Sequence, residues 1–246
     1  MKNRFAKLLI TIVVSCLITA VVSGCGEDSN NANSSSNSNS NGSSATTSTS
    51  SQQKFKQEFV YTTDSTGKVS LSKHNKVDNK PAETIVIPKA ENGTLTKIEP
   101  SVFVADTTVK SVVIPDTVQE IGDIAFKGCV NLKSVTLPKS LKTVGVGAFM
   151  STGLKQVTLP STVTQVGVKA FSTCSNLEKL TINEGVVELN NIANNCKNLK
   201  ELYLPSTITT VAQDFTVLPI TTVYTPNNLV VIDYCTANGI NYEIIN

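Results

Sequence analysis

Residues 135–156 read VTLPKSLKTVGVGAFMSTGLKQ, and residues 157–179 read VTLPSTVTQVGVKAFSTCSNLEK. They are two copies of one pattern placed end to end. Working outward, VVIPDTVQEIGDIAFKGCVNLKS (112–134) is a third copy and LTINEGVVELNNIANNCKNLKE (180–201) a fourth. Degenerate copies begin at Ile85, Leu202 and Val223. Proline closes the first segment of each copy at Pro88, Pro115, Pro138, Pro160, Pro205 and Pro226, with Asn183 in the one slot that lacks it. A period of 22–23 residues is the signature of a solenoid with one coil per repeat.

Within a coil, LKSVTLP alternates with a period of two, so Val135 and Leu137 face one way and Ser134 and Thr136 the other. Proline removes an N–H and ends the strand. The TVGVGAF segment then supplies Val144 and Phe149 as inward groups on the opposite wall, and a turn leads into the next coil. Stacking aligns each slot into a ladder. One such ladder holds Phe103, Phe126, Phe149, Phe171 and Phe215, with Asn194 or a neighbour replacing the ring in the coil from Leu180.

The pair Gly145 and Gly147 behind a strand invites a dinucleotide-loop reading. That fingerprint needs a third glycine where Met150 stands, and a long helix after it. Aligned coils give another reading. Gly145 matches Gly122 and Gly167, so it is a turn requirement of the coil, for positive φ or close packing. Gly147 matches Ile124 and Lys169, at a variable slot read as exposed and indifferent. No nucleotide site is expected.

LKSVTLPKSLKTVGVGAF and LKQVTLPSTVTQVGVKAFSTCSNL resemble the BspA-like, or Treponema-type, leucine-rich repeat. FVYTTDSTGKVSLSKHN is similar to the family's β-hairpin entry cap, and VVIDYCTANGINYEII to its closing helix and strand. The resemblance covers about 55–246. It implies a leucine-rich repeat solenoid of right-handed coils with a parallel β-sheet on one face and little helix. It also implies an exported bacterial surface protein, several members of the family being linked with adhesion.

The organisation follows. Residues 1–24 read as a lipoprotein signal peptide: Lys2, Arg4 and Lys7, then an apolar run, then small residues. VSGC (22–25) resembles a lipobox, which would place a diacylglyceryl anchor on Cys25 and fix the chain to the bacterial membrane, facing outward. Residues 25–53 are a Ser/Asn-rich tether with almost no large apolar side chain, of roughly 30 Å root-mean-square span. Residues 54–80 form the hairpin cap, 81–226 the solenoid of six to seven coils, and 227–246 the C-terminal cap. The chain carries a net charge of +2. Loss of the signal peptide's three cations removes even this basic excess, so nucleic acid is not an expected partner.

Cys129, Cys174 and Cys196 share one repeat slot, filled by Thr152 in a fourth coil. The slot reads as a ladder of small buried groups, although neighbouring coils bring Cys174 and Cys196 to a separation that suits a disulfide. Cys235 belongs to the cap and reads as buried and free. A single-file ladder offers no convergent metal ligands. His74, the only histidine, lies among lysines of the hairpin and reads as a solvent-exposed turn residue. No nucleophile motif, paired carboxylates or cofactor loop is present, so neither catalytic residues nor a cofactor are expected.

What remains is the outward face of the sheet, the default binding surface of a solenoid. Its first strands are dominated by Val, Ser and Thr. The candidate face is the C-terminal part: Gln156, Thr158, Lys179, Thr181, Glu201, Tyr203, Thr222 and Tyr224. Tyrosines there suit contact with a protein or with sugar rings. The expected role is non-enzymatic binding of a protein or carbohydrate ligand at the cell surface, in adhesion. The alternative is a cell-envelope scaffold that binds an endogenous partner near the membrane.

Overall fold

The computed structural model describes residues 58–75, 84–90, 93–213, 220 and 222–246. Cys25, the signal peptide, the tether and Phe215 lie outside them. The described residues open with an antiparallel hairpin, β1 (Glu58–Thr63) and β2 (Val69–Asn75). Each later coil contributes a front strand and then a rear strand. The first three coils give β3 (Thr84–Val86) and β4 (Leu95–Ile98), β5 (Ser111–Val113) and β6 (Glu120–Ile121), and β7 (Ser134–Thr136) and β8 (Thr143–Val144). The next three give β9 (Gln156–Thr158) and β10 (Gln165–Val166), β11 (Lys179–Thr181) and β12 (Glu188–Asn190), and β13 (Glu201–Tyr203) and β14 (Thr210–Gln213). Strand β15 (Thr222–Thr225), helix α1 (Leu229–Ala237) and strand β16 (Tyr242–Ile244) close the chain. This is the expected β-solenoid, with about seven turns, parallel sheets and, among the described residues, one helix.

Two features depart from the expectation of one sheet on one face. The rear wall is also a sheet, ordered β1-β2-β4-β6-β8-β10. The front wall is broken into β3-β5-β7 and β9-β11-β13-β15-β16. The break has a cause in the sequence. From Phe149 to Val157 is one residue shorter than from Phe126 to Val135, because the slot of Asn131, Asn176 and Asn198 is missing. Gly153 makes the shortened turn, where a Cβ would lie 2.4 Å from Val130 O. Inward Val135 and Leu137 are left half-buried at the break, while Val112, Ile114, Val157 and Leu159 are buried.

The core is a set of ladders. Phe103, Phe126, Phe149 and Phe171 stack with ring centroids 4.8, 5.2 and 5.5 Å apart and nearly parallel. The ladder continues upstream through His74, 5.0 Å from Phe103, to Phe59 at 5.2 Å. His74 is thus a rung rather than an exposed turn residue. Its side chain is 3% exposed, with Nδ1 3.8 Å from Asp106 Oδ2. Phe103 has no earlier coil to cover it, and the hairpin supplies a flat ring instead. Downstream, Phe171 N donates to Ile192 O, as Phe149 N donates to Ala170 O. The ring's place in the Leu180 coil is therefore taken by Ala193, not Asn194, with Ile192 in the usual alanine slot.

Of the two roles expected of the first glycine slot the structure shows close packing, and the second slot is not the indifferent one expected. Gly122, Gly145 and Gly167 do not have positive φ. They are required by close approach, since a Cβ on Gly167 would lie 2.4–2.7 Å from Val146 N, Gly145 C and Val146 Cα. The slot of Gly147 is buried at that residue and is the left-handed one: φ is 65° at Ser101, 50° at Ile124, 59° at Gly147, 61° at Lys169 and 49° at Asn191. A second left-handed slot follows four residues later, at Ala105, Gly128, Ser151, Thr173 and Asn195. Left-handed backbone costs an L-residue about 1–2 kcal/mol, partly offset by glycine's greater loss of chain entropy on folding. Exposed Lys169→Gly is therefore expected to raise stability by about 0.5–1 kcal/mol. A melting temperature at or below that of the parent chain would contradict this.

Candidate binding face

The front strands from β9 to β15 pair in parallel with no slip. Gln156, Lys179, Glu201 and Thr222 form one row across them, and Thr158, Thr181, Tyr203 and Tyr224 the next. The structure brings all eight candidate residues onto one continuous outward surface. The same slots on β3, β5 and β7 lie beyond the break, on a separate sheet.

Along this surface the last coils are cross-linked by side chains. Lys179 Nζ lies 3.2 Å from Glu201 Oε2 and 4.1 Å from the centroid of the Tyr203 ring. Tyr203 Oη donates to Glu201 Oε2 at 3.3 Å. The Tyr203 and Tyr224 rings stack at 4.4 Å with a 9° interplanar angle. The Glu201 carboxylate, then the Tyr203 hydroxyl, hold the Lys179 ammonium above its usual pKa. This pair stands in solvent, where such ion pairs contribute little stability. Its effect is to order long side chains into one patch before any ligand arrives, which lowers the entropy cost of binding.

This arrangement limits what the Tyr203 ring can stack on. Lys179 covers one face of the Tyr203 ring and Tyr224 the other, so no sugar ring has a free face of Tyr203 to stack on. The Tyr203 ring therefore meets solvent by its edge and hydroxyl. Beside them a shallow groove of about 240 Å³ is lined by Lys155, Gln156, Glu178, Lys179, Lys200 and Glu201. The groove's column, Lys155, Glu178 and Lys200, is visible in the sequence as the residue after each coil's last leucine, where the charge alternates from coil to coil.

The cysteine slot is buried. Cys129 donates to Phe103 O at 3.1 Å, Cys174 to Phe149 O at 3.1 Å and Cys196 to Phe171 O at 3.0 Å. Cys235 in the cap is also buried, and burial pushes its thiol up to about 11. Contact between Cys174 and Cys196 separates their acidities. The Cys196 thiol holds Cys174 down to about 7, while hydrogen bonding to Cys174, then burial, drives Cys196 well up. Asp106 occupies this slot in the first coil, accepting from Thr108 N and Oγ1 at 2.9 and 2.6 Å. Among the described residues no cluster of three His, Cys, Asp or Glu could hold a metal ion.

At the C-terminal end, buried Asn228 joins cap to coil. Its Nδ2 donates to Ser206 O and Ile208 O at 3.0 and 2.9 Å, while its Oδ1 caps the helix through Val230 N and Val231 N. An asparagine directly before LVVIDY was a legible cap signal.

Front and rear parallel strands, one coil per 22–23 residues and an ordered outward face define a leucine-rich repeat solenoid. Residues 96–216 match, in six copies, the family model described as the BspA type leucine rich repeat region. The repeats of this chain belong to that BspA-type family. No curated protein matches the chain in sequence. The solved leucine-rich repeat protein of T. pallidum is similar at 18% identity, with a TM-score of 0.51, over 75% of this chain and 95% of that one. The pneumococcal vaccine antigen PcpA is similar at 19% identity, with a TM-score of 0.57, over 76% of this chain and 48% of that one. At these identities the likeness is one of fold.

Proposed function

We propose that the chain is a non-enzymatic lipoprotein of the bacterial surface, anchored through Cys25, that binds a protein partner in adhesion. The observation that carries this reading is the ordered Lys179–Glu201–Tyr203–Tyr224 cluster, at the one part of the sheet that is not merely Val, Ser and Thr. Tyrosine edges and hydroxyls beside alternating charges suit a polypeptide surface, where tyrosines are common hot spots. With both faces of Tyr203 covered, stacking on a sugar ring is left to Tyr224 alone.

The test is capture from host matrix and from the cell's own envelope, using the soluble chain 54–246 as bait. Protease shaving of intact cells accompanies it. Cleavage of the domain with capture of a matrix protein supports adhesion. Protection of the domain with capture of an envelope protein favours the scaffold role, which the tether's short reach of roughly 30 Å also suits. Tyr203→Ala with Tyr224→Ala is expected to cost about 1 kcal/mol of stability, since the stack is half-exposed. A loss several times larger would show the pair to be structural.

A further inference from the structure

Of the four described cysteines, two are slot neighbours. The strands that follow Cys174 and Cys196 pair Leu180 with Leu202, so the thiols occupy equivalent places on consecutive coils. Beside them, Phe171 N donates to Ile192 O and Thr173 N to Asn194 O, so the two coils are already stacked where the cysteines stand. Equivalent backbone positions on paired parallel strands are about 4.8 Å apart, inside the 4.4–6.8 Å range of Cα separations that a disulfide spans. Cys129 is cut off from them by Thr152, whose Oγ1 sits 3.2 Å from Cys174 Sγ, and Cys235 belongs to α1.

This junction is also where the rear wall is interrupted. The rear sheet stops at β10 and resumes as the separate pair β12-β14, because Asn190 stands alone where Gly167 and Val168 stand in the coil before. The phenylalanine ladder ends at Phe171, with Ala193 in the next rung. Asn183 replaces the strand-ending proline, holding the previous coil by Nδ2 to Leu159 O at 2.8 Å.

We propose that Cys174 and Cys196 are a peroxide-oxidisable pair that closes to a cross-coil disulfide and clamps this junction. Hydrogen peroxide is the oxidant. The Cys174 sulfur attacks one peroxide oxygen and the O–O bond breaks. The departing hydroxide takes up the Cys174 proton as water, leaving a sulfenic acid. The Cys196 sulfur then attacks the Cys174 sulfur, the S–O bond breaks, and hydroxide leaves with the Cys196 proton as a second water. Two thiols and one peroxide become one disulfide and two waters; each sulfur loses one electron and the peroxide gains two.

The test treats the folded full-length chain with hydrogen peroxide, then unfolds, alkylates and digests it with trypsin. Half-buried Met150, read as its sulfoxide, reports the dose. The expected product joins peptide 170–179 to peptide 180–197, two hydrogens lighter than their sum. The melting temperature should rise by roughly 5–10 °C and return on reduction. Cys196→Ser should show neither change, and Cys129→Ser both. The proposal is overturned by alkylated Cys174 and Cys196 beside oxidised Met150, by Cys174 accumulating as sulfinic acid, or by linkage to another cysteine. Linkage that forms only in denaturant overturns it as well.

Discussion

Phe149→Ala is expected to remove about 3–5 kcal/mol, enough to unfold or severely loosen the solenoid. The ring is fully buried, with Phe126 at 5.2 Å on one face and Phe171 at 5.5 Å on the other. Truncation takes away its own burial and opens a void that both neighbours line. Neither can fill it, because Phe149 N is bonded to Ala170 O and Phe126 N to Ala148 O, and these bonds fix the coil spacing at that point. In a single-file array each coil contacts only its neighbours, so damage at a middle rung splits the ladder. Thermal denaturation followed by circular dichroism checks the expectation. A melting temperature within a degree or two of the parent would refute the register.

Gly167→Ala should be nearly as damaging, although it adds one methyl group. The new Cβ would meet three backbone atoms of the preceding coil at 2.4–2.7 Å. Side chains can rotate away from such a clash, whereas this backbone is held by Gly167 N donating to Val144 O at 2.7 Å. The coils must separate, breaking that bond and disturbing Val166 and Phe171 on either side. Overpacking a core usually costs 1–3 kcal/mol. Against fixed backbone we expect about 3 kcal/mol or more, seen as an earlier chemical denaturation midpoint. Two residues on, Lys169→Gly carries the opposite sign. A Gly167→Ala chain as stable as the parent would show that the coils are not in van der Waals contact there.

These glycines show what was legible. The period, the strand slots and the phenylalanine slots were readable because each demands a side chain of one size or kind, and repetition exposes the demand. Close approach was readable too, since only glycine satisfies it at Gly122, Gly145 and Gly167. The left-handed slot was not, because Ser, Ile, Gly, Lys and Asn all occupy it and its cost is spread over every coil. His74 was misread for a related reason. A ladder has no internal repeat beyond its first rung, so nothing marked an imidazole as the ring that covers Phe103. The deletion before Val157 was visible in the spacing, but its effect on the front sheet depends on hydrogen bonds between coils. At the candidate face the register of all eight residues followed from the repeat. The burial of both Tyr203 faces did not, because it depends on where Lys179 and Tyr224 turn.

Recognition at the C-terminal end of the front sheet is best tested by the affinity of the captured partner for three chains. These are the parent, Tyr203→Ala with Tyr224→Ala, and Ser111→Ala with Ser134→Ala on the separate N-terminal sheet. Two tyrosine hot spots of about 2 kcal/mol each predict a Kd at least a hundredfold weaker for the tyrosine variant. The serine variant should bind as the parent does. Equal affinity of the parent and a folded tyrosine variant would place the binding site elsewhere on the solenoid.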